Sequence, residues 1–534
     1  KMKSKILVIA AAIVAGVLIG VFAAPVISGD NVYEQVRKFT DVLNTASKNY
    51  VEEVDTQKLT EAAIKGMLNE LDPHSVYIPA EQMKKVNEDF QGSFEGIGVE
   101  FDIVKDTITI VTPIIGGPSE ALGIQSGDKI VKIDGENAVG LSREEVPKKL
   151  RGPKGTHVKI MVHRAGETKL MEFDITRDKI PIYTVDAAYI IQGTDIGVIS
   201  SNRFAATTHS EFVEAARRLK AEGMKKLILD LRGNPGGYLD QAFKLADEFL
   251  PSGSKIVYTK ARRPELDETY YATDGGEFEK IPLIVMVNSG SASASEIVSG
   301  AIQDLDRGLI VGETSFGKGL VQQQYSLGDG SSYRLTIARY YTPSGRLIQR
   351  PYKDKEKYYK GEGREEGEEG DNINHAADKA DSTHPIFKTP SGRTIHGGGG
   401  ITPDYIVKPD TITQLYRDIF RKNIFFEFTD NYLKGEGVAV RNSYKDNFPA
   451  FLKNFKITDE MMKSFRAIAE QKGVVWNDAN YKTDESFLRN RLKALLARSM
   501  FGSPYFYPIS FEDDKQLKKA ITLFPEATKI AKLK

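Results

Sequence analysis

The stretch "IPLIVMVNSGSASASEIVSGAIQDL", residues 281–305, predicts the element on which the fold is built. Its first seven residues, "IPLIVMV", form a short, continuous apolar run that is typical of a buried strand. The following "SEIVSGAIQDL" places Ile297, Ala301 and Ile302 at helical spacing. A strand followed by a turn and a helix leaves the helix N-terminal amides at the edge of a sheet, where they are able to bind an anion. The turn contains four serines: Ser289, Ser291, Ser293 and Ser295.

These serines allow two interpretations. One of them is a nucleophile that is presented between a strand and a helix. Alternatively, all four are small polar residues of the turn, with Ser289 and Ser291 as turn formers and Ser295 as a helix cap. The local pattern alone favours the second interpretation.

The sequence on both sides of this stretch alternates strand-like and helix-like segments. They include "DIGVISS", "THSEFVEAARRLKAEG", "KLILDLR", "YLDQAFKLADEFL" and "GLIVGE". Strands that alternate with helices predict right-handed βαβ units and a mostly parallel, buried sheet. We therefore expect an α/β core over residues 178–410.

A lysine provides a candidate general base for the serine turn. In "GETSFGKGLVQ", residues 312–322, Lys318 lies between two glycines in an otherwise apolar segment. A lysine in a desolvated site has a lowered pKa and becomes available as a neutral amine. Gln322 is four residues further along the chain and could hold that amine by a hydrogen bond. A surface lysine in a glycine-rich hairpin is the alternative, and it is favoured when Lys318 is considered alone.

A second strand-to-helix turn is rich in glycine. "LILDLRGNPGGYLDQA" contains Gly233, Gly236 and Gly237, whose backbone amides are accessible because glycine has no side chain. Such a turn could supply an oxyanion donor. A phosphate-binding turn is the competing interpretation, but no lysine follows the glycines.

The composition excludes several other functions. The 534 residues suffice for roughly three or four domains. The 73 basic and 73 acidic residues balance, so no net positive charge favours nucleic acid. The absence of cysteine excludes disulfides and thiolate metal sites. None of the seven histidines has metal-ligand spacing, and no nucleotide-binding motif is present, so we expect neither a metal nor a cofactor.

Changes in sequence pattern divide the chain into four segments after the N-terminal stretch. The predicted segments are a helical N-terminal segment at 30–91, a β-rich domain at 92–177 with a tight turn at Asp134-Gly135, the core at 178–410, and a helical C-terminal extension at 411–534. Within the core, residues 352–398 read as a mobile, charged insertion. "TPSGR" occurs on both sides of it, at 342–346 and 389–393, without an evident function. In the extension, four leucines share one helix face and Gly502 ends the helix: Leu488, Leu492, Leu495 and Leu496.

The N-terminus predicts export from the cytoplasm. Three lysines within the first five residues precede an uncharged apolar stretch from Ile6 to Ile27. Its length suits a membrane-spanning helix, and "VFAAP" offers small residues for cleavage, so residues 1–29 read as a membrane anchor or a signal peptide. We expect the rest of the chain to be periplasmic or extracytoplasmic, in the cell envelope and anchored to the inner membrane.

Several motifs in this order resemble the C-terminal processing peptidases, also called tail-specific proteases. The resemblance extends from about Leu43 to Val407 and rests on nine segments: "LDPHSVYI", "GIGVEF", "GDKIVKIDG", "LRGPKGT", "DLRGNPGG", "VNSGSASASEIVSGAIQD", "GETSFGKGLVQ", "YYTPSGRLIQ" and "GITPDYIV". It implies a crotonase-like α/β protease core with an inserted PDZ domain. The family passes quickly from "YYTPSGR" to "GI-x-PD", whereas here the residues from about Arg350 to Gly399 intervene.

The resemblance also implies roles for individual residues. The nucleophile is Ser293, the general base is Lys318, and Gln322 orients the lysine. The oxyanion donors are the amides of Ala294 and of the glycine turn, where Gly236 and Gly237 are not distinguished. In the PDZ domain, four residues would bind a substrate's terminal carboxylate, and an arginine would couple binding to catalysis. They are Gly96, Ile97, Gly98 and Val99 for the carboxylate, and Arg151 for the coupling.

The expected function is a serine endopeptidase that recognises free, apolar protein C-termini and cleaves upstream of them. The membrane and an adaptor protein or a second copy of the chain are the other expected partners. Two alternatives are a non-catalytic PDZ scaffold on a degenerate protease fold, and an acyl-CoA enzyme of the crotonase type. The three residues Ser293, Lys318 and Gln322 argue against the scaffold.

Overall fold

The computed structural model describes residues 31–361, 369–373 and 385–533. The chain forms two compact units: Lys1–Pro79 with Gln324–Leu335, and Ala80–Gln323 with Thr336–Lys534. The predicted anchor or signal peptide at residues 1–29 lies outside the described residues. Among the helices that are described, none combines the length and the apolar character that crossing a membrane requires.

The first unit contains two helices and a short strand. They are α1 (Val32–Asn49), α2 (Thr56–Leu71) and β1 (Val76–Ile78). The Asp55 side chain caps α2 by accepting a hydrogen bond from the Lys58 amide at 3.0 Å. β1 pairs in antiparallel register with Ser332–Arg334. The part of the predicted N-terminal segment that lies in this unit therefore consists of two helices and one short strand.

The second unit begins with a helix and a β-rich domain. Their elements are α3 (Ala80–Gln91), β2 (Ser93–Gly96), β3 (Val99–Val104), β4 (Thr107–Pro113), α4 (Pro118–Ala121), β5 (Lys129–Ile133), β6 (Glu136–Asn137), α5 (Glu145–Leu150), β7 (His157–His163), β8 (Met171–Thr176) and β9 (Asp178–Pro181). Antiparallel pairing joins β3 to β8 into one sheet around an apolar core. Asp134 and Gly135 both have positive φ in the turn between β5 and β6, as the Asp-Gly pattern predicts. β2 pairs with β9 and closes the domain at its base.

The α/β core follows. Its elements are β10 (Val185–Ile190), β11 (Ile196–Ser201), α6 (Thr208–Ala221), β12 (Lys226–Asp230), α7 (Leu239–Asp247), β13 (Lys255–Ala261), β14 (Thr269–Tyr271), β15 (Leu283–Val287), α8 (Ala294–Asp304), β16 (Leu309–Gly312), β17 (Leu320–Ser326), β18 (Ser332–Tyr341), α9 (Lys355–Lys360), β19 (Gly370–Asp371), β20 (Ile386–Lys388), β21 (Thr394–His396) and β22 (Tyr405–Ile406). Seven strands form a sheet in the order β10-β11-β12-β15-β16-β22-β19. The pairs from β11 to β22 are parallel, as predicted.

The C-terminal extension consists of helices. They are α10 (Gln414–Arg421), α11 (Ile424–Lys434), α12 (Gly437–Ser443), α13 (Phe448–Asn454), α14 (Asp459–Gln471), α15 (Asp478–Phe501), α16 (Tyr507–Ser510), α17 (Lys515–Thr522) and α18 (Phe524–Ile530). The helix α15 ends at Gly502, as predicted, and buries Leu488, Leu492 and Leu496.

Both faces of the seven-stranded sheet are covered by helices. Apolar side chains of α6, α7 and α8 pack on one face. On the other face, Leu517, Leu523 and Phe524 of α17 and α18 pack against Ile228 and Ile284 of the sheet. The last two helices of the extension are therefore part of the core and complete the burial that a parallel sheet requires.

Two segments of the described insertion contain buried residues, unlike the expected solvated loop, whereas most side chains of α9 are exposed as expected. Tyr358 of α9 is only 2% exposed, and Ile395 of β21 is fully buried. The strands β20 and β21 form a hairpin in register. Other residues of the insertion lie outside the described part of the chain.

The two "TPSGR" copies form the same turn. In each copy the threonine amide bonds to the arginine carbonyl, from Thr342 to Arg346 at 3.1 Å and from Thr389 to Arg393 at 3.0 Å. Each arginine then pairs with an aspartate at the C-terminal end of α8. Arg346 pairs with Asp304 at 2.6 Å, and both side chains are fully buried.

The second copy docks in the same way, because Arg393 pairs with Asp306 at 2.7 Å. The serine amides repeat this pattern, from Ser344 to Asp304 at 3.0 Å and from Ser391 to Asp306 at 2.7 Å. The repeat therefore has a structural role at the end of α8.

Candidate active site

The turn between β15 and α8 holds Ser293 in a strained conformation. All five residues of β15 are buried, and α8 begins at Ala294, directly after this serine. Ser293 has φ 56° and ψ −111°, which residues with a side chain rarely adopt. Such strain persists only where surrounding contacts impose it, and a strained serine between a strand and a helix has the geometry of a nucleophile elbow.

Two of the neighbouring serines have structural hydrogen bonds. The Ser291 hydroxyl donates to the Leu231 carbonyl at 2.8 Å, and the Ser295 hydroxyl donates to the Asn234 carbonyl at 2.9 Å. Both side chains are fully buried, whereas Ser293 is partly exposed. Ser291 and Ser295 therefore hold the turn, and Ser293 is the residue of the three that a substrate is able to reach.

The glycine turn after β12 lies directly against Ser293. A Cβ atom at Gly236 would come within 2.8 Å of the Ser293 Cβ and of the Ala294 amide nitrogen. Only glycine permits this approach, and Gly236 also has a φ of 92°. The Gly236 amide donates to the Asn234 side chain at 2.9 Å. In the described part of the chain, the Gly237 amide forms no hydrogen bond, so it is the donor of the two that stays available.

The lysine loop, residues 313–319, carries Lys318 between β16 and β17. The amide of Phe316 in this loop donates to the Ser291 carbonyl of the serine turn, residues 289–295, at 2.8 Å. Lys318 itself is partly buried. The lysine loop and the serine turn are therefore in direct contact.

Glu296 connects the two segments more extensively. One carboxylate oxygen accepts hydrogen bonds from the amides of Ser293 at 2.8 Å and Lys318 at 2.9 Å. The other accepts from the Ser315 hydroxyl at 2.5 Å and the Gly317 amide at 2.6 Å. Glu296 is fully buried. Burial raises the pKa of the Glu296 carboxyl, and the four donors act in the opposite direction because they stabilise the carboxylate.

Tyr340 of β18 forms a second connection. Its hydroxyl lies 2.6 Å from the Lys318 carbonyl oxygen and 3.1 Å from that of Ser293, and it is positioned to donate to either. The side chain is 1% exposed, and burial with the nearby Glu296 raises the pKa of the Tyr340 phenol well above its usual value. The phenol therefore stays protonated and able to donate.

Sequence reasoning did not identify Glu296 or Tyr340 as site residues. A signal for Glu296 was present, because a serine followed three residues later by a glutamate is a capping-box pattern at a helix start. Nothing in the sequence around Tyr340 indicates its two carbonyl partners, which lie 47 and 22 residues away.

Gln322 lies on β17, on the strand that follows the lysine loop. Its side-chain amide donates to the Thr336 hydroxyl of β18 at 3.3 Å. This bond fixes one end of the amide group and leaves its oxygen as a possible acceptor. The orienting role of Gln322 toward Lys318 stays a prediction.

The predicted carboxylate-binding loop, Gly96 to Val99, connects β2 to β3. Ile97 is 2% exposed, and its carbonyl accepts a hydrogen bond from the Ser119 hydroxyl at 2.6 Å. β3 pairs with β4 on one edge, and no strand of the described chain pairs with its other edge. An unpaired edge beside this loop is the arrangement that peptide addition by strand pairing requires.

Arg151 joins this loop to the helix α3. Its guanidinium pairs with Glu88 of α3 and stacks on the Phe94 ring at 4.3 Å. Its Cγ atom lies 3.4 Å from the position that a Cβ of Gly96 would occupy. Arg151 therefore contacts the first residue of the loop and a neighbouring helix at once.

The C-terminal extension contacts the other side chains of β3. Arg498 of α15 pairs with Glu100, and the Asn423 side chain, just before α11, donates to Asp102 at 2.9 Å. Alternate residues of a strand point to the same face, so Glu100 and Asp102 share the face opposite to Phe101. The extension therefore contacts the face of β3 that points away from the core of the β-rich domain.

Comparison with known proteins identifies four regions of the chain. Residues 195–354 match peptidase family S41, and residues 109–164 match a PDZ domain. Residues 24–82 match the N-terminal domain of the activating protease CtpB. Residues 415–502 match a family of unknown function.

Two curated relatives are named as carboxy-terminal processing proteases. A carboxy-terminal-processing protease of Bartonella bacilliformis is 41% identical over 323 residues, which cover 60% of this chain and 74% of the relative. Carboxy-terminal processing protease CtpA of Bacillus subtilis is 35% identical over 364 residues, 65% of this chain and 75% of the relative.

Solved structures give similar matches. The photosystem II D1 C-terminal processing protease is 29% identical, covers 58% of this chain and 89% of its own, and has a TM-score of 0.32. The PDZ domain of a Vibrio cholerae carboxy-terminal protease in complex with a peptide is 34% identical, covers 16% of this chain and 97% of its own, and has a TM-score of 0.16.

Fold, site and relatives together define a serine-type peptidase that carries a PDZ domain. The chain belongs to peptidase family S41, and the two curated relatives described above are carboxy-terminal processing proteases.

Proposed function

We propose that this chain is a serine endopeptidase of the cell envelope that captures protein C-termini through its PDZ domain and cleaves by a Ser/Lys acyl-enzyme mechanism. One observation carries the proposal: Glu296 and Tyr340 bind the backbones of both Ser293 and Lys318. A buried carboxylate with four donors is a costly feature that a non-catalytic scaffold has no need to maintain.

In the proposed mechanism the neutral Lys318 amine removes the proton of the Ser293 hydroxyl as its oxygen attacks the scissile carbonyl carbon. The resulting oxyanion accepts hydrogen bonds from the amides of Ala294 and Gly237. The tetrahedral intermediate then expels the amine, which receives the proton from Lys318. Water, deprotonated by the same lysine, hydrolyses the acyl-enzyme, and Gln322 keeps the lysine in line throughout.

The choice of Gly237 over Gly236 is supported by the hydrogen bonds of the turn. The Gly236 amide is already bound to the Asn234 side chain, and its Cα faces Ser293 and the Ala294 amide. Gly236 therefore allows the glycine turn to approach the Ser293 turn closely, while Gly237 provides the second donor.

Substrate capture is proposed to occur at β3. The substrate's terminal carboxylate binds the amides of the loop from Gly96 to Val99, and its last residues add to the free edge of β3 as a strand. Apolar terminal residues suit the core of this domain, on which Val99 packs. The contacts of Arg151 with Glu88 and Gly96 support its proposed role in coupling capture to catalysis.

Three further parts of the proposal rest on the sequence. The core is crotonase-like, residues 1–29 attach the chain to the inner membrane, and the catalytic part is periplasmic or extracytoplasmic. A second copy of the chain or an adaptor protein is a further expected partner.

The decisive experiment measures cleavage of an unstructured protein that ends in small apolar residues by the full chain. Ser293→Ala and Lys318→Ala should each reduce kcat at least about 10³-fold. Ser252→Ala is the control, since Ser252 is exposed in the loop between α7 and β13 and its substitution should leave cleavage intact. Cleavage that persists in Ser293→Ala or Lys318→Ala would contradict the mechanism.

A second arm tests the PDZ domain. A substrate with an amidated C-terminus lacks the carboxylate and should be cleaved more slowly than the free acid. Equal rates for the two substrates would remove the proposed role of the loop from Gly96 to Val99.

A further inference from the structure

The insertion between "YYTPSGRLIQ" and "GITPDYIV" leaves and rejoins the core beside the lysine loop. Where it leaves, the Arg350 amide donates to the Gly317 carbonyl at 3.0 Å. Where it returns, the Ile401 amide donates to the Ser315 hydroxyl at 2.7 Å. Both ends of the insertion are therefore bound to the segment that presents Lys318.

The Arg350 side chain connects the lysine loop to the insertion itself. Its guanidinium lies 4.5 Å from the ring of Phe316 in the loop and 4.3 Å from the ring of Tyr358 in α9. The side chain is 1% exposed, and it also donates to the Tyr358 carbonyl at 3.1 Å. The two rings also contact each other edge to face, with centroids 5.7 Å apart and planes at 89°. A desolvated guanidinium over two aromatic rings is a strong cation–π arrangement, and both rings are needed to complete it.

The lysine loop packs closely against Arg350 and the residue before it. Gly317 has a φ of 85°, and a Cβ at this position would come within 2.7 Å of the Arg350 Cγ. Two residues further along, the Gly319 amide donates to the Gln349 side chain at 2.9 Å. The residues on both sides of Lys318 are therefore in contact with the chain that leads into the insertion.

The short helix α9 presents Tyr358 with defined ends. The Asp354 side chain caps its first turn by accepting from the Lys357 amide at 3.1 Å, and Gly361 ends it with a φ of 75°. Tyr358 is buried, whereas its neighbour Tyr359 is 65% exposed. Of these two adjacent tyrosines, one therefore packs inside the protein and the other faces solvent.

We propose that the first part of the insertion, residues 350–361, is a positioning device for the catalytic lysine, in which Tyr358 holds Arg350 against Phe316 and thereby places Lys318 for proton transfer. This inference rests on the proposed role of Lys318 as general base. Tyr358 is a positioning residue that acts through Arg350, and neither residue contacts the reacting atoms. The charged composition of the insertion does not indicate this role, because the role depends on the single buried side chain of Tyr358.

The test compares three variants of the full chain in the protein-cleavage assay. Tyr358→Ala should lower kcat at least tenfold and leave KM within twofold, because substrate capture takes place elsewhere. Tyr358→Phe keeps the ring and should restore kcat to within twofold of the parent. Tyr359→Ala, the matched control from the same helix, should also stay within twofold.

Hydrogen exchange provides a readout that does not depend on activity. In Tyr358→Ala the amides of Gly317, Lys318 and Gly319 should exchange at least tenfold faster, while those in the middle of α8 keep their protection. If Tyr358→Ala folds poorly, Tyr358→Leu keeps the apolar bulk without an aromatic face and should show the same losses.

The outcomes separate this inference from the proposed function. The proposed function would be refuted if the parent cleaved the substrate without needing Ser293 and Lys318. Hydrogen exchange would still test the positioning role in that case, because unchanged exchange of the lysine-loop amides in Tyr358→Ala would overturn it. With an active parent, a kcat within twofold for Tyr358→Ala or Tyr358→Leu would overturn the inference. An increase of KM alone would overturn it as well, because it would assign Tyr358 to substrate binding.

Discussion

Replacing Glu296 by glutamine should disconnect Ser293 from Lys318 while keeping the shape of the side chain. In the native protein each carboxylate oxygen accepts two hydrogen bonds, one pair from the Ser293 and Lys318 amides and the other from Ser315 and Gly317. Glutamine has one acceptor oxygen and one NH₂ group, which is a donor. Whichever way the amide is turned, two of the four buried donors therefore face another donor.

The magnitude follows from the cost of unsatisfied groups. A buried donor that loses its partner costs about 1–3 kcal/mol, so two of them should lower the free energy of unfolding by about 2–6 kcal/mol. Catalysis should suffer as well, because a displacement of about 1 Å in a catalytic group costs about 10²-fold in rate. We therefore expect Glu296→Gln to be less stable and to have a kcat lowered about 10²-fold.

The assay combines chemical denaturation with steady-state cleavage on the same preparations. Glu214→Gln is the matched control, since Glu214 is exposed on α6 and the same substitution there should change the free energy of unfolding by less than about 0.5 kcal/mol. Parent-like stability and kcat in Glu296→Gln would refute the reasoning, because the four hydrogen bonds would then hold neither residue in place.

Three other substitutions test neighbouring contacts. Gly236→Ala places a methyl group 2.8 Å from the Ala294 amide nitrogen and should lower kcat about 10²-fold, and unchanged cleavage would disprove the proposed oxyanion site. Tyr340→Phe leaves two buried carbonyls without their shared donor and should reduce the free energy of unfolding by about 1–3 kcal/mol in chemical denaturation. Asp304→Asn leaves the Arg346 charge buried and unpaired and should reduce it by about 3–5 kcal/mol, whereas a loss below about 1 kcal/mol would show that the pair is dispensable.

The elements of the core were predictable because each has a local signal. β15 is a continuous apolar run, α8 has a helical period, and Asp134-Gly135 is a strong hairpin pattern. Parallel pairing follows from the alternation of strands and helices. These properties depend on residues that are near one another in the sequence, and the structure confirms them.

The parts that sequence reasoning missed depend on contacts between distant residues. The Glu296 carboxylate accepts a hydrogen bond from the Lys318 amide, 22 residues away, and the sequence near neither residue indicates this contact. The "TPSGR" repeat had no evident function because its partner aspartates lie far from it, 40 residues away for Ser344 and Asp304. The insertion read as solvated because its average composition is charged, although burial of Tyr358 decides how its first part packs.

The helix α8 is constrained at both of its ends, and the repeat explains how its C-terminal end is held. Aspartates at a helix C-terminus are unfavourable because the helix dipole is negative there, so Asp304 and Asp306 need cations. Arg346 supplies the first and Arg393 the second, in two turns of the same sequence and geometry. The core can therefore accept an insertion between these turns without releasing α8, because the returning chain ends in a copy of the turn that it leaves from. The positive charge at the helix end is then contributed by Arg346 of the core and by Arg393 of the insertion, so both parts of the chain hold the helix that begins directly after Ser293.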